Sequence, residues 1–451
     1  MLNIIILAGG KGTRMKSVKP KVLQTLAGKP LLRHVLDTCR ALNADNTILI
    51  YGYNGQMVKD EITDSDLIWA EQAEQLGTGH AVQMALPHLP KDGKSLILYG
   101  DVPLTKLDTL QNLIAQNTHG ISMLTMSVDN PFGLGRIIRQ DDKVIAIVEQ
   151  KDATDAQRQI KEINSGIYCV DNALLHKYLL KLDNNNAQGE YYLTDIIKMA
   201  VADNIEINTI SPTFEFEIDG VNDRIQLANL ERTYQAHLIH ELQLNGVQFA
   251  DPNRVDIRGS LKCGSDVFID INTVFVGDVV LGDNVQIDAG NIISNCVIGN
   301  NTHIKPNCVL DDSTIGADVA IGPFAHIRPK ADIKDKVKIG NFVEIKKSTL
   351  NQGAKVSHLS YIGDADVGRD VNIGAGVITC NYDGVNKFKT HIGDNAFVGS
   401  NSSLVAPVKI GNNATIGAGS VITKDTPDDK LTVARSKQST IDSWVRPTKK
   451  A

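Results

Sequence analysis

The 451-residue sequence has no apolar stretch approaching the ~20 residues that a membrane-spanning helix needs, so no membrane partner is expected. Its six cysteines, Cys39, Cys169, Cys263, Cys296, Cys308 and Cys380, are scattered, and none forms a Cys-x-x-Cys pair. That excludes the usual zinc and dithiol spacings and points to reduced thiols in a cytoplasmic protein. Basic residues are outnumbered, 46 against 52 acidic, for a formal net charge of -6. No global positive field is left for nucleic acid. An anionic ligand must be met by a local cluster of cations. The first apolar run is too short for a secretory signal and lacks a basic flank, so no signal peptide is expected.

What is present divides into two textures. Residues 1 to about 226 alternate short apolar runs with helical patterns. "TILIYG" (47–52), "SLILYGD" (95–101), "ISMLTM" (121–126) and "VIAIVE" (144–149) read as strands, and "PLLRHVLDTCRAL" (30–42) reads as a helix. This alternation predicts an α/β sheet, largely parallel. Residues 227–245 lack Gly and Pro and carry Leu227, Leu230, Tyr234, Leu238 and Leu242 at helical spacing, ending at Gly246. They predict a helical linker, here 227–247, between a domain of residues 1–226 and one of residues 248–451.

The second half repeats. Ile315, Ile321, Ile327, Ile333, Ile339 and Ile345 fall every sixth residue, as do Ile392, Val398, Leu404, Ile410, Ile416 and Ile422. Such hexads predict a parallel β-helix of triangular section, each anchor pointing inward. The phase breaks between Ile373 and Ile392, where "CNYDGVNKFKT" (380–390) predicts a projecting loop.

Two stretches carry chemistry. "IILAGGKGTRM" (5–15) is a buried strand running into a Gly-rich turn with Lys11 and Arg14, and Lys21 follows in "KPKVL". The Walker pattern is absent and the third Rossmann glycine is missing. A turn whose backbone N–H groups are accessible, beside three cations, suits a polyphosphate. Asp101 follows the strand "SLILYG", where open α/β sheets place ligand and metal residues. In the repeats, Ile327 and Ile345 are one coil apart, so Arg328 and Lys346 should stack on one edge, a pairing that an anion between them would relieve. His358, in the next coil, suits a general base, because imidazole exchanges protons near neutral pH.

"LAGGKGTRM", "KPK", "EQLGTGHA", "YGDVPL", "GLGRI", "INSGIY" and "GEYYLTDII", followed by the hexads, resemble the family of bacterial bifunctional N-acetylglucosamine-1-phosphate uridyltransferases / glucosamine-1-phosphate N-acetyltransferases over essentially the whole chain. One departure is Gly9, where the family usually has Ala. The resemblance implies a Rossmann-like nucleotidyltransferase domain and a left-handed β-helix. It implies UTP and UDP-sugar contacts from Leu7, Ala8, Gly9, Gly10, Lys21, Gln72, Gly77, Thr78, Tyr99, Gly100 and Asp101. Gly135, Glu149 and Asn164 would hold the sugar, Asp101 and Asn222 would hold Mg²⁺, and Arg14 and Lys21 would act on the phosphates.

For the second activity the resemblance implies that His358 is the base, supported by Glu344. Arg328, Lys346, Tyr361 and Asn372 would bind glucosamine 1-phosphate. Ala375, Asn381, Tyr382, Ser400, Ala418 and Arg435 would bind acetyl-CoA. The product, UDP-N-acetylglucosamine, would feed bacterial cell-wall synthesis, and the expected assembly is a homotrimer through the β-helix. A uridyltransferase on a purely structural β-helix is the alternative.

Overall fold

The structure, a computed structural model, describes residues 1–449. Its contacts divide it into two units, the division falling between Tyr234 and Gln235.

In the first unit a nine-stranded sheet forms. Its strands run, edge to edge, Ile207–Ile210, Ile121–Ser127, Glu162–Asp171, Lys94–Tyr99, Leu2–Leu7, Asn46–Tyr51 and Leu67–Glu71. A ribbon of Arg136–Gln140 and Lys143–Val148 pairs onto Glu162–Asp171. The sheet is mixed: Glu162–Asp171 runs antiparallel to both neighbours, and the ribbon is antiparallel too. The direction reverses at the tight turn of Asp141 and Asp142, both at positive φ, between Arg136–Gln140 and Lys143–Val148. Glu162–Asp171 keeps the direction of Lys143–Val148, since both run antiparallel to Arg136–Gln140.

Alternation along the strands feeds two cores. Ile5 and Ile97 pack on one side of the sheet, whereas Ile4, Ile6, Leu96 and Leu98 pack on the other. Helix Leu31–Ala41 presents Leu32, Val35, Leu36 and Cys39 to the second of these cores. Helix Arg224–Leu244 starts three residues earlier than its apolar spacing suggested, because the Asp223 carboxylate accepts from the N–H groups of Ile225 and Gln226. Its Leu230 joins Met15, Leu26 and Leu31 in the first unit, and its Ile239 joins the core of the second.

The second unit is a β-helix in which every strand pairing is parallel. An 11-stranded sheet forms one face, and a 17-stranded sheet covers the other two. All twelve hexad anchors are buried, none more than 3% exposed. The corners between faces adopt positive φ, mostly at Asn, Asp or Gly, which tolerate it. Phe324, Lys330, Lys336, Phe342, Lys347 and Leu359 are the exceptions, and they cluster in adjacent coils. The loop after Ile378–Cys380 leaves the coil and returns at Thr390–Ile392, closed by a bridge between Tyr382 and Lys387.

Candidate functional site

The opening strand delivers its Gly-rich turn to a cleft of about 360 Å³. Leu7, Ala8, Gly9, Gly10, Lys21, Gln72, Gly77, Thr78, Tyr99, Asp101 and Asn222 line it, so eleven of the residues singled out from sequence meet there. Gly100 does not reach the cleft wall; it is buried, and its N–H donates to the Leu7 carbonyl at 2.9 Å. Lys11 stays exposed on the surface. Gly12, at φ 57°, lets the chain turn close against the Lys21 side chain; a Cβ there would stand 2.9 Å from the Lys21 Cβ. A Cβ on Gly9 would stand 2.9 Å from the Gln72 Oε1, so the missing methyl lets that amide in closer. Gln72 is buried, and its amide donates to the Gly77 carbonyl at 3.0 Å.

Lys21, Asp101 and Asn222 meet in the cleft, and the exposed Arg14, outside its lining, reaches them. Lys21 Nζ pairs with the Asp101 carboxylate and donates to Asn222 Oδ1 at 3.1 Å. Arg14 Nη2 donates to the same oxygen at 2.9 Å. The Val221 N–H donates to the Asp101 carbonyl at 2.9 Å, which ties the two segments together. A carboxylate and an amide oxygen thus already share one cation, Lys21. Hard oxygen donors so placed fit Mg²⁺, which commonly takes few protein ligands and completes its shell with water and phosphate. Among the described residues no three His, Cys, Asp or Glu converge.

A second cleft, of about 440 Å³, shares Tyr99, Asp101 and Asn222 with the first. Asn164 lines it. This residue pairs with Thr125 at the last regular rung before the ladder shifts register between Asn164 and Tyr168. Its Oδ1 accepts from the Tyr168 hydroxyl at 2.9 Å, which fixes the amide's orientation. Gly135 and Glu149 lie just behind this wall. The Gly135 carbonyl accepts from the Asn164 N–H at 2.9 Å, and a Cβ on Gly135 would touch both Glu149 carboxylate oxygens at 3.5 Å. Burial pushes the Glu149 carboxyl up from the usual range, against a hydrogen bond from Thr194 and the nearby Arg136 cation, which lower it.

On the β-helix, register places Ile327 opposite Ile345, so Arg328 and Lys346 stack as the spacing predicts. The charge balance differs from that expectation. Glu344 pairs with Arg328 at 2.6 Å, and this relieves the repulsion without any bound anion. The cation left facing Lys346 is Lys387, from the projecting loop. A hydrogen bond with Lys346 and repulsion between the two ammonium groups hold the Lys387 pKa below its ordinary value.

Within this chain Glu344 pairs with Arg328, and His358 has another neighbour. His358 Nδ1 lies 2.7 Å from Asn341 Oδ1, its register partner in the neighbouring coil. With the amide oxygen accepting, Nδ1 carries the proton and Nε2 keeps a lone pair.

One chain does not gather the four expected amino-sugar residues. Arg328, Lys346 and Tyr361 belong to one face, whereas Asn372 projects from the neighbouring face, opposite Lys355 and Phe397. Of the expected acetyl-CoA residues, Ala375, Ser400, Ala418 and Arg435 stack on one corner, one coil apart. The Ala375 carbonyl accepts from the Asn401 N–H, Ser400 from Gly419, and Ala418 from Arg435 Nη1 at 2.8 Å. Asn381 is buried instead, donating to Asp364 at 2.6 Å, and Tyr382 stands exposed on the loop.

Sequence reasoning missed Gln75 and Glu190 in the first cleft, Asp219 in the second, and Asn341 and Lys387 on the β-helix. Lys387 had a signal, as a cation inside the predicted loop. Asn341 had one too, standing 17 residues before His358, one coil below it.

Comparison with known proteins finds two domain types in the chain. Residues 4–154 match the MobA-like NTP transferase domain, and residues 278–312, 312–347 and 389–424 match the bacterial transferase hexapeptide repeats. A bifunctional protein GlmU of Psychrobacter sp. (strain PRwf-1) is 62% identical, over 100% of this chain and 99% of its own length. That of Psychrobacter arcticus is 63% identical over the same shares, and that of Acinetobacter baumannii (strain ACICU) is 58% identical over 99% and 98%. With full-length identity at this level and both domain types in the same order, the chain belongs to the bifunctional GlmU family.

Proposed function

We propose that residues 1–226 transfer uridylyl from UTP to N-acetylglucosamine 1-phosphate, and that residues 248–451 first acetylate glucosamine 1-phosphate from acetyl-CoA. The observation that carries the first activity is the convergence of Lys21, Asp101 and Asn222 where the two clefts meet, with Arg14 bonded to Asn222 from outside. The nucleotide occupies the first cleft and the sugar phosphate the second. The sugar-phosphate oxygen then attacks the α-phosphorus and pyrophosphate leaves. The substrate brings its own nucleophile, so the protein supplies alignment and charge. Lys21 and Arg14 neutralise phosphate oxygens, and Gln72 with the Gly77–Thr78 turn reads the base edge. Mg²⁺ held by Asp101 and Asn222 would supply further charge neutralisation at the phosphates.

In the second reaction His358 Nε2 takes a proton from the amine of glucosamine 1-phosphate as that nitrogen attacks the thioester carbon. Coenzyme A leaves as the thiol. Asn341 holds the ring in the tautomer this needs. Lys346 and Lys387 meet the sugar phosphate, and Arg328, tied to Glu344, frames its edge. Asn372 reaches the same sugar only from another copy of the chain, which favours a homotrimer packed through the β-helix. Exposed Phe324 and Phe342, stacked at 5.4 Å, give such an interface an apolar ridge. UTP and acetyl-CoA as co-substrates place the enzyme in the cytoplasm.

The test uses both readouts on one preparation. Asp101→Ala should stop pyrophosphate release while thiol release from acetyl-CoA continues, and His358→Ala should do the reverse. Loss of both activities in either variant would contradict the assignment.

A further inference from the structure

Arg136 is the largest fully buried side chain in the molecule, 1% exposed, and no step above uses it. A buried guanidinium normally has a carboxylate partner, because desolvating an unpaired charge is costly. Arg136 has no ion pair among the described residues. Its Nη1 donates to the Leu134 carbonyl, and its Nη2 donates to Gln150 Oε1 at 2.7 Å. Its Nε is buried with no partner. Gln150 Oε1 also accepts from the Gly133 N–H at 3.1 Å. The side chain and Gln150 together therefore fasten the turn of residues 133–135 from both ends.

That turn is the back of the second cleft. Leu134 lines the cleft, and the Gly135 carbonyl holds the backbone of Asn164, which lines it too. On the ladder Arg136 stands opposite Val148, one residue before Glu149, and also opposite Ile163, one residue before Asn164. A single fork thus sits behind Asn164, which lines the cleft, and beside Glu149, which lies behind its wall.

We propose that Arg136 is the positioning residue of the sugar-phosphate subsite: without touching the sugar, it fixes the Gly133–Gly135 turn and, through it, Asn164 and Glu149. This rests on the reading that the second cleft takes N-acetylglucosamine 1-phosphate. An unpaired cation also serves Glu149 electrostatically. Burial raises the Glu149 pKa, and Asp152 and Asp195 raise it further. Tyr99, Tyr168 and Tyr192 also face that carboxylate but are neutral, their own pKa values pushed up chiefly by burial. Arg136 is the cation that opposes these effects. An ionised Glu149 can accept from sugar hydroxyls, and a protonated one accepts less well.

The experiment is steady-state uridyltransfer by the full chain, with UTP and N-acetylglucosamine 1-phosphate varied in turn, for wild type, Arg136→Lys, Arg136→Gln and Gln150→Leu. In all three variants KM for the sugar phosphate should rise by about tenfold or more, as expected when hydrogen bonds from a charged group are lost, while KM for UTP moves less than about threefold. The pH profile separates fork from charge. In Arg136→Gln the acid limb of 1/KM for the sugar should move to higher pH, because Glu149 has lost its opposing cation. In Arg136→Lys the limb should stay in place. Equal rises in both KM values, a fall in kcat alone, or an unmoved limb in Arg136→Gln would overturn the proposal. Gln150→Leu keeps it open to refutation if the Arg136 variants fail to fold. A wild type that uses a different sugar phosphate would refute the underlying reading instead, and the variants would then be measured with that sugar.

Discussion

Asn341→Ala tests the acetyl-transfer site through a residue that touches no substrate. The Asn341 amide holds His358 at 2.7 Å across two coils of the β-helix. When His358 takes the substrate proton, the ring becomes a cation and that hydrogen bond becomes charge-assisted. Such a bond contributes about 1.5–3 kcal/mol when shielded. His358 is exposed and Asn341 half-buried, so the lower end applies. About 1.5 kcal/mol corresponds to roughly a tenfold loss of kcat for acetyl transfer. The assay is thiol release from acetyl-CoA in the presence of glucosamine 1-phosphate. KM for acetyl-CoA and the uridyltransfer rate should not change. A variant with the wild-type acetyl-transfer rate would refute the assigned tautomer and the choice of Nε2 as the base nitrogen. His358→Ala should lose far more, about 10²- to 10⁴-fold, as removal of a general base does.

Further outcomes follow from the same geometry. Asp101→Ala should abolish pyrophosphate release and weaken Mn²⁺ binding measured in the presence of UTP, while thiol release stays at the wild-type level. Asp219 has its pKa raised to about 6 by burial and by Glu215, so its ionised form costs the folded state stability above that pH. Asp219→Asn should therefore raise the thermal midpoint of the N-terminal unit at pH 7.5, by an amount worth about 1–2 kcal/mol after allowing for the solvent that reaches it. The gain should vanish near pH 4, where the carboxyl is protonated in the native protein anyway; a gain independent of pH would contradict this origin. Phe342→Asn places a residue tolerant of φ 55° at an exposed corner and removes half of the stacked pair. It should weaken self-association, read as a lower average mass by sedimentation, and an unchanged mass would exclude that ridge from the interface.

Much of this architecture is legible in the sequence because its repeats are local. A six-residue period fixes which side chains point inward, and all twelve anchors named from spacing are buried. The Gly-rich turn and Asp101 are legible for a similar reason, since strand ends in an open sheet are where ligands bind. The misses have a common cause in side-chain choice beyond backbone register. Spacing stacked Arg328 with Lys346, but not even register shows that Glu344 bends to Arg328 rather than to His358. The antiparallel strand Glu162–Asp171 looks like its parallel neighbours in composition, and the signal for the reversal lies upstream, in the Asp141–Asp142 hairpin turn. Lys387 and Asn341 depend on how a loop folds back and how coils align, which alternation and hexad counting do not encode. Arg136 was hidden because a buried, unpaired cation contradicts every sequence expectation for arginine.

The central claim is that one chain carries two independent chemistries on two units. The most direct measurement supplies glucosamine 1-phosphate, acetyl-CoA, UTP and Mg²⁺ to wild type, Asp101→Ala, His358→Ala and an equal mixture of the two variants, and follows UDP-N-acetylglucosamine by mass spectrometry. Wild type should form it, neither variant alone should, and the mixture should recover it, because each variant retains one complete site. Product from His358→Ala alone, or none from the mixture when each variant still performs its own half-reaction, would contradict the account.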